Sequence, residues 1–312
     1  MRITHSPSCA AAQRGSSLTL GNFDGVHLGH QALLARLSSH ARAHHLETAV
    51  LTFSPQPRAF FTPDRAPAQL SSLREKIALL AKAGIERVHI CRFNAHLAHL
   101  SPEDFIEDVI VRTMQARHVL VGDDFRFGAG RAGDVYVLQK AGAALGFSVE
   151  ALPTQTFADA RISSSAVRQA LHHGNIALAN QLLGRPYALS GRVQKGFQLG
   201  RTLGFPTLNI DLKGRRPALW GVYVVRVGGL AERSVLGVAS IGTRPTVKAG
   251  LAPCVEVHLF DWQAMCYGAR VNVEFLAYLR SEEKFDSLPA LTQQIAADAQ
   301  AARAWHAAHP IE

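Results

Sequence analysis

The sequence contains no apolar run that approaches the roughly eighteen residues of a membrane-spanning helix. Residues 1–7 lack the apolar core of a signal peptide, so the chain is expected to be cytoplasmic and not to use a membrane. Cysteine is scarce. Cys9, Cys91, Cys254 and Cys266 are too scattered for a Cys-x-x-Cys pair, which excludes a disulfide framework and suits a reducing compartment. There is no block of five or more Lys and Arg, no basic heptad and no aromatic RNA-binding motif. The net charge of +9 is therefore dispersed. It excludes nucleic acid and membrane surface as partners and favours small phosphorylated molecules. Repeats and low-complexity tracts are absent. What remains is a globular chain of 312 residues, 47% hydrophobic and 18% charged, long enough for two domains. Nothing in the sequence fixes an oligomeric state.

Up to about residue 183, strand and helix patterns alternate. Short apolar strands are expected at 18–23, 48–53, 87–93, 118–122 and 147–152, with helices at 28–44, 73–83, 102–114 and 135–145. Ser101-Pro102-Glu103-Asp104 is a good helix start, with an N-cap Ser, Pro at N1 and acids in the first turn. This alternation predicts an α/β, Rossmann-like domain over 1–183, built on a parallel sheet with ligands at the carboxyl ends of its strands. Beyond Gly184-Arg185-Pro186 strands dominate, at 188–193, 221–227, 234–241, 254–260 and 270–275, and an amphipathic helix follows at 288–309. Residues 184–312 are expected to form an antiparallel β-barrel with a C-terminal helix.

The run Gly21-Asn22-Phe23-Asp24-Gly25-Val26-His27-Leu28-Gly29-His30 follows the first strand and opens a helix. Such a junction aims free helix N–H groups at an anion, and its glycines let a ligand approach the backbone. Two histidines three apart point imidazoles at the same place. They could also be half of a metal site, but zinc takes three or four protein ligands and no cysteine pair adds to them. Three other segments join this one: Phe53-Ser54-Pro55-Gln56-Pro57, Val121-Gly122-Asp123-Asp124-Phe125, and Arg161-Ile162-Ser163-Ser164-Ser165 with Arg168 one turn on. An Arg in a first helical turn opposes the helix dipole, which a nearby phosphate would explain. Gly128-Ala129-Gly130-Arg131-Ala132-Gly133 fits a dinucleotide fingerprint with Glu150 as its acid. Residues 123–127 separate it from the preceding strand, so an NAD-dependent enzyme is not expected.

The later half carries Gly196, then Gly200-Arg201-Thr202-Leu203-Gly204-Phe205-Pro206-Thr207-Leu208-Asn209. It is one residue short of a Walker A loop, has Arg for Lys and runs into Pro206. Thr207 and Asn209 share a strand face, where a hydroxyl and an amide oxygen can hold Mg²⁺ and a phosphate oxygen. Glu256 lies in Val255-Glu256-Val257-His258. Read alone, it would be a strand-face acid in a cross-strand ion pair.

The first motif set resembles the FMN adenylyltransferase branch of the HxGH nucleotidyltransferases, and the second resembles riboflavin kinase. Together they resemble the bacterial bifunctional riboflavin kinase/FAD synthetases. The resemblance implies that riboflavin and ATP give FMN in the barrel, and that FMN and ATP give FAD and pyrophosphate in the N-terminal domain. It implies Mg²⁺ as cofactor and riboflavin, FMN and ATP as substrates. His27, His30 and Arg168 would be catalytic in adenylyl transfer, and Glu256 the base of the kinase. Gly21, Asn22, Phe23, Asp24, Gly29, Arg161, Ser163 and Ser164 would bind ATP in the first site. Gly200, Arg201, Thr207 and Asn209 would do so in the second, with Thr207 and Asn209 at the metal. Pro55, Asp124, Phe125 and Arg244 would contact flavin. Gln56, Ser165 and Leu208 depart from the family's usual His, Thr and Ala. Two rivals are a nucleotidyltransferase whose barrel only binds a regulator, and a non-catalytic nucleic-acid or flavin-binding protein.

Overall fold

The computed structural model describes residues 1–5, 14–157, 160–196, 199–246 and 250–310. Cys9 lies outside them. The chain divides into two compact units, Met1–Pro67 with Ser71–Ser163, and Ala68–Leu70 with Ser164–Glu312.

In the first unit, β1 (Arg2–His5), β2 (Ser16–Leu20), β3 (Glu47–Ser54), β4 (Arg87–Arg92), β5 (Ala116–Gly122) and β6 (Ser148–Leu152) form one parallel sheet in the order β1-β4-β3-β2-β5-β6. Its inner strands are apolar because helices cover both faces. Leu18, Ala49 and Leu51 pack towards Ile106, Val109 and Leu138. Val50, Val88 and Leu120, one residue out of phase, join Leu34 and Leu37 of the helix Leu28–Ala43. Buried polar groups in such a sheet need partners. Ser16 Oγ donates to Met114 O at 2.7 Å, and Arg87 sits between Glu47 and Met114 O.

Two details depart from the sequence expectation. The edge strand β1 is short and largely exposed, so it carries no apolar run to read. Ser101 caps its helix by accepting from Asp104 N, but beyond Asp104 the helix widens into a π-helical stretch, Phe105–Thr113. Within Gly128–Gly133 a 3₁₀ turn spans Ala129–Arg131, a β-bridge joins Phe127 to Gly133, and Glu150 is engaged by Arg36 at 2.7 Å. No dinucleotide loop is present there.

Two buried histidines give this unit an acid limit. His89 on β4 shares a 2.9 Å hydrogen bond with Thr4. His118 on β5 stacks on His40 at 3.5 Å. Burial pushes both down to about 4, aided by Arg87 at His89 and by His40 at His118, where Glu150 pulls the other way. The unfolded chain protonates both near pH 6.5, so below that it binds protons the folded unit refuses. Stability should be level above about pH 7 and should fall as the pH drops towards 4. The loss by pH 5 is about 2 kcal/mol per histidine. Urea midpoints at pH 7.5, 6 and 5 test this, and a flat series would refute it.

The second unit begins with two helices, Ser164–His172 and Ile176–Leu183, after a two-stranded pair, β7 (Thr156–Phe157) and β8 (Ala160–Arg161), of the first. Asn180 ties the second helix to the barrel, accepting from Tyr187 N at 2.7 Å and donating to Phe275 O at 3.3 Å. β9 (Tyr187–Gln194), β10 (Thr207–Asp211), β11 (Gly221–Gly228), β12 (Val235–Thr246), β13 (Gly250–Leu259) and β14 (Arg270–Arg280) close an antiparallel barrel in the order β10-β13-β12-β11-β14-β9. Alternation sends Val255, Val257, Ile241, Tyr223 and Phe275 into its interior. The outer residues Val222, Val224 and Val238 pack with Ala299 and Ala302 of the C-terminal helix Leu288–Ala308.

Candidate active sites

The first site grows from the turn between β2 and the helix Leu28–Ala43. Gly21 N bonds Leu51 O at 3.0 Å and ends the strand. Phe23 and Val26 then adopt φ of 46° and 41°, unusual for residues with side chains. Both side chains are buried in the core, which holds the turn against that preference. Asp24 is buried as well. Its Oδ1 accepts from Ser71 N at 3.0 Å and Ser71 Oγ at 3.2 Å, and Ser71 Oγ accepts from Gly25 N. Asn22 is left exposed.

His27 caps the helix. Its Nδ1 accepts from His30 N at 3.4 Å, so that nitrogen carries no proton. The His27 and His30 rings stack at 3.7 Å. A Cβ at position 29 would lie 3.2 Å from His27 Nδ1, so Gly29 makes room for the ring. Burial holds His30 well below the usual imidazole range, with His27 and Lys76 adding to the effect. His30 is therefore neutral near pH 7. Its Nδ1 is buried without a hydrogen-bond partner among the described residues.

Lys76 is a site residue that the sequence reading missed. It projects from the helix Leu73–Lys82 and is 3% exposed. Its Nζ donates to Thr52 Oγ1 at 3.2 Å, and Thr52 in turn donates to Asn22 O at 3.3 Å. Burial pushes the amine down to about 8 against the pull of Asp24. The available signal was a lysine on the apolar face made by Leu73, Ile77 and Leu80.

The remaining candidates of this set lie on several elements. Pro55 is exposed after β3, beside Phe53, Phe60, Phe61 and Phe93, whose rings meet edge to face at 5.4–5.8 Å. Asp124 and Arg161, assigned to different ligands by the motifs, form an ion pair. Phe125 stacks on Phe127 at 5.5 Å. Ser163 belongs to the first compact unit. Ser164 and Arg168 belong to the second, where Arg168 Nε donates to Ala68 O at 2.6 Å.

In the barrel, register does what spacing could not. Asn209 pairs with Glu256, and Glu256 pairs with Ser240 on its other side. One rung away, Thr207 pairs with His258 and His258 with Val238. Directly opposed residues share a face. A hydroxyl, an amide and a carboxylate thus meet from strands 47 residues apart (Asn209 to Glu256). A Cβ on Gly196 would come within 2.4 Å of Asn209 Nδ2, so that glycine admits the amide. His258 Nδ1 lies 3.0 Å from Pro206 O and fastens the turn before Thr207. Leu208 points away from this face and is buried, so the departure at 208 does not crowd Thr207 or Asn209.

A cavity of about 360 Å³ adjoins this face, lined by Gly200, Thr207, Ser240, Glu256, Arg280 and Phe285 among others. Its wall is braced by Arg280, which chelates Asp298 of the C-terminal helix through Nε at 2.9 Å and Nη2 at 2.7 Å. Gln294 donates to the same carboxylate. A second cavity of about 350 Å³ is lined by Arg201, Leu208, Trp262 and Tyr267, and also by Thr207. Arg244 lies on β12, but its side chain is outside the described residues. Among the described residues no group of three His, Cys, Asp or Glu is placed to cage a metal. Thr207 and Asn209 offer two hard oxygens instead. Mg²⁺ keeps several waters and takes further ligands from substrate phosphates, so this small oxygen set fits it.

Comparison with known proteins gives a consistent result. A family model for FAD synthetase matches residues 9–166, and one for riboflavin kinase matches 183–306. The chain is 49% identical over 295 residues to a bifunctional riboflavin kinase/FMN adenylyltransferase of Escherichia coli (strain K12), covering 94% of this chain and 93% of that protein. A protein of the same description from Pseudomonas fluorescens is 46% identical over 93% of each chain. A solved structure from Streptococcus pneumoniae, described as a macrolide-efflux protein, superposes with a TM-score of 0.81 at 29% identity, covering 96% of this chain and 98% of that one. No helix among the described residues is long and apolar enough to cross a membrane.

Proposed function

This chain belongs to the bifunctional riboflavin kinase/FMN adenylyltransferase family, and we propose which of its residues carry each reaction. It phosphorylates riboflavin to FMN with ATP in its C-terminal domain and adenylylates FMN to FAD in its N-terminal domain. We divide the two activities at 183/184.

The phosphorylation needs a base, because the 5′-hydroxyl of riboflavin is neutral and must lose its proton as it attacks the γ-phosphorus of ATP. The placement of Glu256 beside Asn209, on the cavity that Thr207 also lines, is the observation that carries this reading. Glu256 accepts the proton. Thr207 and Asn209 hold the metal and a phosphate oxygen, while Gly200 and Arg201 bind the nucleotide and Arg244 the flavin. Mg²⁺ supplies charge neutralisation of the phosphates.

The adenylyl transfer needs no base, since the FMN phosphate is already anionic. Its difficulty is repulsion during attack on the α-phosphorus and growing charge on the departing pyrophosphate. Preorganised donors address that difficulty. Neutral His30 and the capping His27 keep ring N–H groups for phosphate oxygens, and the helix that His27 caps presents its N-terminus. Gly21, Asn22, Gly29, Arg161, Ser163, Ser164 and Arg168 are assigned to the nucleotide by their motifs. Pro55, Asp124 and Phe125 are assigned to the flavin. Phe23 and Asp24 act by shaping the turn. Cys91, Cys254 and Cys266 form no disulfide among the described residues, which supports placing the enzyme in the cytoplasm.

The test is chromatography of products from purified protein, riboflavin, ATP and Mg²⁺. FMN should form first and FAD after it, and neither should form once the metal is chelated. FMN that never proceeds to FAD would refute the assignment of the N-terminal half.

A further inference from the structure

We propose that Lys76 is an electrostatic positioning residue for adenylyl transfer, fixing the Asn22–His30 turn through Thr52 and lending its charge to the triphosphate bound there. The inference rests on the reading of that turn as the ATP site.

An ammonium carries three donors and is costly to bury without a counter-charge. Lys76 is 3% exposed, makes no ion pair among the described residues, and has one hydrogen bond, to Thr52 Oγ1. It does not snorkel, because a head group at that exposure is out of water. The acid that acts on it, Asp24, also accepts from Ser71 N and Oγ. A fold built for stability alone would place an apolar residue between Leu73 and Ile77. Retaining an under-satisfied cation points to a ligand that completes it.

Connectivity gives the second argument. Lys76 reaches the motif through Thr52 and the carbonyl of Asn22, and its field is felt at His30. A buried cation and the neutral His30 imidazole then face one turn whose own carboxylate, Asp24, is already engaged by Ser71. An incoming triphosphate brings further negative charge to that cation, and the charge growing on pyrophosphate in the transition state is favoured further.

The experiment is Lys76→Met, with FAD formation followed from supplied FMN and FMN formation from riboflavin as an internal control. The expected result is a fall of about 10²-fold in kcat for FAD, with less change in the KM for ATP. Kinase activity should be unchanged, and the melting temperature should be equal or higher because an under-satisfied buried charge has gone. Lys76→Arg, which keeps the charge, should recover part of the loss. FAD formation within about threefold of the parent would overturn the proposal. So would lost activity together with a lower melting temperature, since Lys76 would then be a structural strut. Should the Met variant not fold, Thr52→Val decides. Loss of about tenfold in kcat at unchanged melting supports the relay, and no loss overturns it. His30→Ala, run alongside, separates the two levels: if it too leaves FAD formation intact, the site assignment itself has failed.

Discussion

Glu256→Gln stops phosphorylation of riboflavin while FAD continues to form from supplied FMN. The substitution keeps size and shape, so the rung that joins Asn209, Glu256 and Ser240 should survive it. What it removes is the capacity to accept a proton. A positioned base is typically worth about 10²–10⁴-fold, and a loss in that range is expected in kcat for FMN formation. The KM for ATP should change little, because the nucleotide is assigned to Gly200, Arg201, Thr207 and Asn209. The measurement is paired: riboflavin to FMN, and FMN to FAD, on the same preparation. A Gln variant that still makes FMN at a tenth of the parent rate or better would remove Glu256 from the role of base.

The converse variant, His30→Ala, should accumulate FMN and make almost no FAD. His30 stacks on His27, is neutral near pH 7, and has a buried ring nitrogen without a hydrogen-bond partner among the described residues. Removing one preorganised donor to a developing anion costs about 10²–10³-fold in rate. The substitution also leaves space beside Phe23, whose ring lies 4.9 Å from that of His30, so some stability is lost with the activity. Kinase turnover measured on the same sample distinguishes a local defect from unfolding. Equal loss of both activities in a folded variant would mean that the two reactions do not divide as proposed.

The parts of this protein that were legible in its sequence are those whose signal is local. Alternation of apolar strands with amphipathic helices gave the parallel sheet, and two-residue alternation placed Thr207 with Asn209 and Glu256 with His258. The β2–helix turn was legible because its residue types are unusual together. What could not be read was set by pairing between distant segments. That Asn209 faces Glu256, or that Arg280 chelates Asp298, depends on barrel register and on where the last helix lies. Lys76 was hidden for another reason: within an otherwise ordinary helix, one charge on the apolar face has the same pattern as a surface lysine. The edge strand β1 escaped because an exposed edge needs no apolar run, and the π-helical stretch because its periodicity is close to that of an α-helix.

Gln194, Asn209, Glu256, Ser240, Val222 and Arg280 occupy successive strands around the barrel, each opposite the next. The chemistry of that ring is consequently a matter of odd and even. A single residue inserted within β13 would turn Val255 or Val257 outwards and bury the carboxylate. Two inserted residues would restore the facing but carry Glu256 about 7 Å along its strand, out of step with Asn209. Length can vary in the loops that carry no site residue, while inside the strands the count of residues is as much a part of the site as their identity.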